Sequence, residues 1–143
     1  NCCKCKAWSF KLKFGIYLFL EFDVIMNKPY DLEERTFLFA KECRFYIQKL
    51  HKTTSNIEDS KQLVRSSGSI GANYIEANEK LGDKDLVFRL KIARKEAKES
   101  IYWIRLLHEL NPEHKETSES LLYEVEELRK ILSTIITRIN SNI

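Results

Sequence analysis

Hydrophobic positions along most of this chain alternate at spacings of three and four residues, which is the pattern of amphipathic helices. Four segments with this pattern follow one another from Asp31 onward. No stretch shows the strict alternation of hydrophobic and polar residues that a half-buried strand would show. The sequence therefore predicts four helices and no strand.

Each predicted helix has one inward stripe. The first stripe is Leu32, Thr36, Phe39, Cys43, Tyr46 and Leu50. The second is Leu63, Ser67, Ile70, Tyr74, Ala77 and Leu81. The third is Leu86, Leu90, Ala93, Ala97, Ile101 and Ile104. The fourth is Leu121, Val125, Leu128, Leu132, Ile135 and Ile139.

Polar residues mark the ends of the first two helices. Asp31 and Glu34 have the spacing of a capping pair, so helix one should begin there. The polar residues 52–56 close it, and helix two is predicted from about Glu58 to Lys80. Small residues within helix two allow a neighbouring backbone to approach closely.

The later links are short. Gly82 is a typical C-terminal cap for helix two, and Asp83 is a typical N-cap for helix three. Asn111 and Pro112 should end helix three near Leu110. Short links make consecutive helices antiparallel neighbours, so residues 26–143 are predicted to form an all-α, antiparallel, up-down-up-down four-helix bundle.

Residues 1–25 differ from the rest of the chain. A segment rich in cysteine, lysine and aromatic residues precedes the apolar run 14–20, which is too short to span a bilayer. No small-residue cleavage site follows it. We interpret this segment as a non-native or mis-assigned leader, poorly ordered or forming an extra helix, with the true start at Met26. The alternative is an interfacial membrane anchor.

Composition limits the possible functions. The net charge of +3 is too small to indicate nucleic-acid binding, which would need cations clustered on one face. Cys43 lies alone in a helical stripe, and Cys2, Cys3 and Cys5 crowd the N-terminus, so neither a disulfide framework nor a zinc motif is present. We expect a cytoplasmic protein without metal or cofactor, in which Cys43 is a small buried hydrophobe.

Helix three carries a second apolar face, well separated from its inward stripe. Its residues are Phe88, Ile92, Trp103, Leu106 and Leu110. A second apolar face rich in aromatic residues is typical of an interface, which predicts a homo-oligomer. Phe37 and Phe45 of helix one lie off their own stripe and are candidates to meet this face. The alternative is that helix three packs on two neighbours of its own chain.

Between these two apolar faces helix three carries a cluster of cations. They are Lys91, Arg94, Lys95, Lys98 and Arg105. Such a ridge would bind a nucleic-acid backbone by releasing counterions. The alternative is a solvated face neutralised by the acidic residues of helix four, Glu119, Glu124, Glu126 and Glu127.

Two motifs support a family resemblance. One consists of Arg65, Ser69, Ile70, Asn73 and Glu76, and the other is the segment 88–100. With the opening segment 26–36, the chain resembles the bacterial four-helix-bundle proteins encoded within 23S rRNA intervening sequences. The resemblance implies a homopentamer. The related accessory protein of diversity-generating retroelements implies two further partners, nucleic acid and a reverse transcriptase.

The polar residues that match these motifs are Arg65, Asn73, Glu76 and Glu99. Their helical placement predicts a partly buried hydrogen-bond network that fixes register. No base, nucleophile and oxyanion donor occur together at useful spacing, so no enzymatic activity is expected. We expect a bundle that binds RNA or DNA through helix three. The alternative is a structural scaffold that binds a protein partner, such as a reverse transcriptase, without touching nucleic acid.

Overall fold

The computed structural model describes residues 31–79 and 81–141, and all the regular elements in these ranges are helices. The predicted leader, residues 1–25, and the opening residues 26–30 lie outside the described residues. The helices are α1 (Leu32–Lys49), α2 (Thr54–Asn78), α3 (Asp83–Leu110) and α4 (Lys115–Ser141), and a 3-10 turn at Pro112–His114 joins the last two.

Helix α2 packs between α1 and α3. On one side Gly71 lies so close to Thr36 of α1 that a Cβ at position 71 would be 2.9 Å from the threonine Oγ1. On the other side the Ser100 hydroxyl of α3 donates a hydrogen bond of 2.8 Å to Ser66. The small residues of α2 therefore permit close helix contacts, as the sequence predicts.

Helix α4 completes the bundle by packing against α3 and α1. His108 of α3 hydrogen-bonds to Ser118 at 2.7 Å. The Arg35 guanidinium of α1 forms a bidentate ion pair with the Glu124 carboxylate, with N···O distances of 2.6 and 3.0 Å. Each of α1 and α3 therefore neighbours α2 and α4, and the two lie at opposite corners of the bundle. The predicted all-α, up-down-up-down four-helix bundle is confirmed.

Most of the predicted inward residues are buried, and the exceptions have structural causes. All six predicted inward residues of helix one are buried. Leu81, predicted on the stripe of helix two, is 96% exposed because α2 ends at Asn78, before the stripe reaches it. In α4, Ile136 is buried where Ile135 was predicted, since a four-residue step from Leu132 keeps the stripe on the core side.

Two helix boundaries also differ from prediction. Helix α2 begins at Thr54 rather than near Glu58, because the Thr53 side chain caps it by accepting a hydrogen bond from the Asn56 N–H at 3.2 Å. Gly82 precedes α3 as its N-cap instead of closing α2, and Asp83 is the first residue of α3. The predicted end of α3 at Leu110, before Asn111 and Pro112, is confirmed.

Two buried asparagine side chains stabilise one end of the bundle. The side chains of Asn56 and Asn111 donate hydrogen bonds to each other, at 2.8 and 2.9 Å. Each amide nitrogen also donates to a backbone carbonyl, that of His51 or that of Leu107. This pair, Asn56 and Asn111, is called the amide clasp below. It connects the loop between α1 and α2 to the C-terminal end of α3.

Candidate nucleic-acid interface

The basic ridge of α3 lies on the solvent side of the bundle. Its inward neighbours Leu90, Ala93 and Ala97 are almost completely buried, so the helix is held firmly by its opposite face. Of the five predicted cations, Lys91, Lys95, Lys98 and Arg105 are exposed and Arg94 is partly buried. The fold therefore brings the predicted residues together on one face of one helix.

None of these five cations forms a salt bridge within 4 Å to a carboxylate of the described residues. Elsewhere on α3, Arg89 does pair with carboxylates, since it bonds to Glu76 at 2.5 Å and lies 3.8 Å from Asp85. Arg89 is on the side of α3 that faces α2. Among the residues that the structure describes, no carboxylate therefore neutralises the ridge through a direct ion pair.

The acidic residues of helix four pair elsewhere. Glu124 binds Arg35 of α1, and Glu119 lies 3.6 Å from Lys115 of its own helix. The other two also bond within α4, namely Glu126 to Arg129 and Glu127 to Lys130, both at 2.8 Å. The hydrogen bond from Lys130 lowers the pKa of the Glu127 carboxyl and raises the pKa of the lysine. Within the described residues, these four acids form their direct ion pairs with cations outside the ridge.

This surface includes one further cation that was not predicted from the sequence. Lys84, in the first turn of α3, is exposed and lies seven residues before Lys91. Seven residues are about two helical turns, so the two lysines share a face. Extending the three-and-four spacing toward the N-terminus of the helix would have found it.

The second apolar face of α3 is only partly covered by the chain. Phe88 is 59% and Leu110 is 53% exposed. Ile92, Trp103 and Leu106 are partly buried. The Trp103 indole N–H donates a hydrogen bond of 3.3 Å to Glu99, which fixes the indole against its own helix.

The four polar residues of the family motifs lie along the α2–α3 surface but bond to different partners. Asn73 donates to the Ser69 carbonyl of its own helix at 2.8 Å, whereas Glu76 pairs with Arg89. Glu99 accepts from Trp103, and Arg65 is exposed.

Arg65 acts on this surface through its charge. Partial burial is the main cause that raises the pKa of Glu96, and Glu99 adds to it, while Lys95 and Arg65 oppose the shift. The motif residues thus flank a carboxylate that the sequence reading did not single out.

The histidines serve the fold. His108 bonds to Ser118, and His114 contacts the Lys49 carbonyl at 3.1 Å. Within residues 31–79 and 81–141, no group of three histidine, cysteine, aspartate or glutamate side chains is placed to hold a metal ion. In the same ranges no helix combines the length and the apolar character that crossing a membrane requires.

Comparisons with known proteins agree with this architecture. The crystal structure of a protein of unknown function from the S23 ribosomal protein family of Bacteroides thetaiotaomicron VPI-5482 matches with a TM-score of 0.64 and 32% sequence identity. The match covers 74% of this chain and 98% of that one. No curated protein matches the chain. The family model described as 23S rRNA-intervening sequence protein matches residues 29–134, and the chain belongs to this family.

Proposed function

We propose that this protein is a non-enzymatic, cytoplasmic homo-oligomer that binds the backbone of RNA or DNA through the basic ridge of α3. The proposal is supported by five cations on one face of α3, four of them exposed, which form no ion pair with the described residues, while the acids of α4 pair elsewhere. Each phosphate contact releases counterions and favours binding. The description of the family refers to 23S rRNA, so RNA is the first ligand to test.

Oligomerisation supports this function because it repeats the ridge. One subunit offers a few phosphate contacts, which give only weak binding at physiological salt. Several ridges on one assembly would act together on a long strand, and their combined affinity would exceed that of a single site. The homopentamer implied by the family resemblance would provide five such ridges.

The test compares two triple variants of equal charge. One carries Lys91→Gln, Lys95→Gln and Lys98→Gln in the ridge. The control carries Lys49→Gln, Lys52→Gln and Lys61→Gln, which are also exposed but lie on α1, its following loop and α2. Affinity for a labelled RNA is measured by fluorescence anisotropy between 50 and 200 mM salt, conditions in which phosphate contacts dominate.

We expect the ridge variant to lose affinity and to reduce the slope of log affinity against log salt by about 2 to 3, which corresponds to three lost phosphate contacts. The control should keep the wild-type slope. Equal affinities for the wild type and the ridge variant would contradict the proposal. That result would favour the rival function, a scaffold for a protein partner such as a reverse transcriptase.

A further inference from the structure

Aromatic side chains stand in line with the cations of α3. The residues Lys84, Phe88, Lys91, Lys95, Lys98, Tyr102 and Arg105 follow one another at steps of four and three, and all seven are exposed. This spacing places them on one helical line about 32 Å long, at 1.5 Å per residue. Glu109, the next residue on that line, is acidic and ends it.

Tyr102 is the aromatic residue best placed within this line. Its side chain is 56% exposed and has Lys98 one turn before it and Arg105 one turn after it. Its ring packs edge-to-face on Trp103, with ring centroids 4.9 Å apart and an angle of 79° between the planes. The hydrogen bond from Trp103 to Glu99 holds the indole, so Tyr102 stands against a fixed neighbour.

An exposed tyrosine between two cations has the chemistry to distinguish single from double strands. Both kinds of nucleic acid offer phosphates to lysine and arginine, but a duplex hides the faces of its bases in the stack. An unpaired base exposes its face and can stack on an aromatic side chain. Such stacking strengthens binding by roughly 5-fold to 150-fold per base.

We propose that the ridge prefers single-stranded to double-stranded nucleic acid because Tyr102 stacks on an unpaired base while Lys98 and Arg105 bind the flanking phosphates. This inference rests on the proposed function, since it needs the ridge to bind nucleic acid, and it adds the class of strand.

The test uses the full chain and four proteins: the wild type, Tyr102→Leu, Tyr102→Phe and the control Tyr123→Leu. Tyr123 is an exposed tyrosine of α4, 71% accessible, with Glu119 and Glu127 one turn away on either side. Each protein is titrated into a labelled 20-nucleotide RNA without self-pairing, and into the same RNA annealed to its complement. Sedimentation of each protein reports whether assembly is unchanged.

The wild type should bind the single strand more tightly than the duplex. Tyr102→Leu should weaken single-strand binding by about tenfold and leave duplex binding unchanged, because only the stacking is lost. Tyr102→Phe keeps an aromatic face and should behave like the wild type, as should Tyr123→Leu.

Equal losses on both ligands, or no loss on either, would overturn the inference. In that case the proposed function still stands if the triple lysine variant loses binding to both ligands. Failure of the wild type to bind either RNA would overturn both proposals. A changed subunit count in Tyr102→Leu would place Tyr102 in a protein contact and would also overturn the inference.

Discussion

Cys43 lies in the middle of the α1 stripe and has no accessible surface. Its burial confirms the prediction of a small hydrophobe. Burial raises the pKa of the thiol from 9.0 to about 12, although a hydrogen bond with Ser67 opposes the shift. A thiol with so high a pKa is not a nucleophile at neutral pH, so the residue serves packing.

This raised pKa predicts that the folded protein loses stability at alkaline pH. Unfolding exposes the thiol and restores its ordinary pKa, so above pH 9 the unfolded chain loses a proton that the folded chain keeps. The stability contributed by this group is complete below pH 9 and falls as the pH rises toward 12. Between pH 9 and 10 the wild type should lose about 1 kcal/mol more than Cys43→Ala.

Urea denaturation at pH 8, 9 and 10 measures how steeply the free energy of unfolding of each protein falls with pH. Burial raises the pKa of Tyr46 as well, from an ordinary value of 10.0, so that residue acts mainly above the chosen range. Cys43→Ala will lower stability at every pH because it leaves a small cavity. Only the change with pH is informative, and parallel curves for the two proteins would contradict the prediction.

The amide clasp between Asn56 and Asn111 gives a second prediction at this scale. Replacing Asn111 with alanine leaves the buried Asn56 amide without its partner, so the free energy of unfolding should fall by about 2 to 3 kcal/mol. Asn78→Ala is the matched control, because it removes an exposed hydrogen bond to Glu33 and should change stability by less than about 0.5 kcal/mol.

Chemical denaturation of the two variants provides the comparison. The double variant Asn56→Ala with Asn111→Ala completes a thermodynamic cycle, and its cost should be smaller than the sum of the single costs, because the second change removes the orphaned group. Simple additivity would show that the two amides do not act as a pair.

At the scale of the helix, replacing each of two glycines of α2 with alanine is expected to change the stability of the protein in opposite directions. A Cβ on Gly68 would meet only the mobile end of Arg44, at 3.4 Å, so Gly68→Ala should stabilise the protein by up to about 1 kcal/mol through helix propensity. A Cβ on Gly71 would lie 2.9 Å from Thr36, so Gly71→Ala must push α1 away.

Thermal and urea unfolding of the two variants checks this difference. We expect Gly71→Ala to be less stable than the wild type, since overpacking of a tight contact outweighs the gain in propensity. Adding Thr36→Ser to Gly71→Ala removes the Thr36 methyl but keeps the Oγ that lies nearest the new Cβ, so it should restore little of the loss. Thr36→Ala, which removes both, should restore more. An equal gain in Gly68→Ala and Gly71→Ala would refute the close approach of α1 and α2.

Hydrophobic spacing was sufficient to predict which side of each helix faces the core. The stripe of helix one was predicted completely, because its inward residues are mainly apolar and most of its exposed residues are polar or charged. The pattern also placed the five cations of α3 on one face. These results depend only on the 3.6-residue period of the helix.

Polar contacts between helices were not predictable in this way. Asn56, Ser60 and Ser66 are buried in α2, yet a hydrophobicity pattern assigns them to the surface. They are buried because small side chains let the helices approach and because two of them have buried partners, Ser100 on α3 and Asn111 directly after it. A partner distant in the sequence also accounts for one acid of α4, since Glu124 pairs with Arg35 of α1, while the other three acids pair with near neighbours in α4.

At the scale of the whole molecule, the described residues include exposed apolar side chains on both α1 and α3. Phe37 and Phe45 of α1 are 60% and 47% exposed, while Phe88 and Leu110 of α3 are exposed to similar extents. Because α1 and α3 lie at opposite corners of the bundle, these surfaces cannot cover each other within one chain. If α1 of one copy contacts α3 of the next, the contact is head-to-tail, and such contacts give a closed ring when the rotation between copies closes and an open filament when it does not. A head-to-tail contact of this kind would build the homo-oligomer that we propose, whereas a two-fold dimer would need the same surface on both copies.

Substitution of the exposed α3 residues tests this proposed ring. Phe88→Ser with Leu110→Ser removes apolar contact without adding charge near the ridge, and both side chains are exposed enough for the fold to tolerate the change. Each buried apolar side chain contributes about 1.5 to 3 kcal/mol, so the assembly should dissociate at protein concentrations at least about tenfold higher than the wild type requires. Sedimentation velocity over a concentration series measures this, and Tyr123→Ser on α4 should leave the assembly intact. A wild type that sediments as a single subunit at high concentration would rule out the ring and the combined action of its ridges.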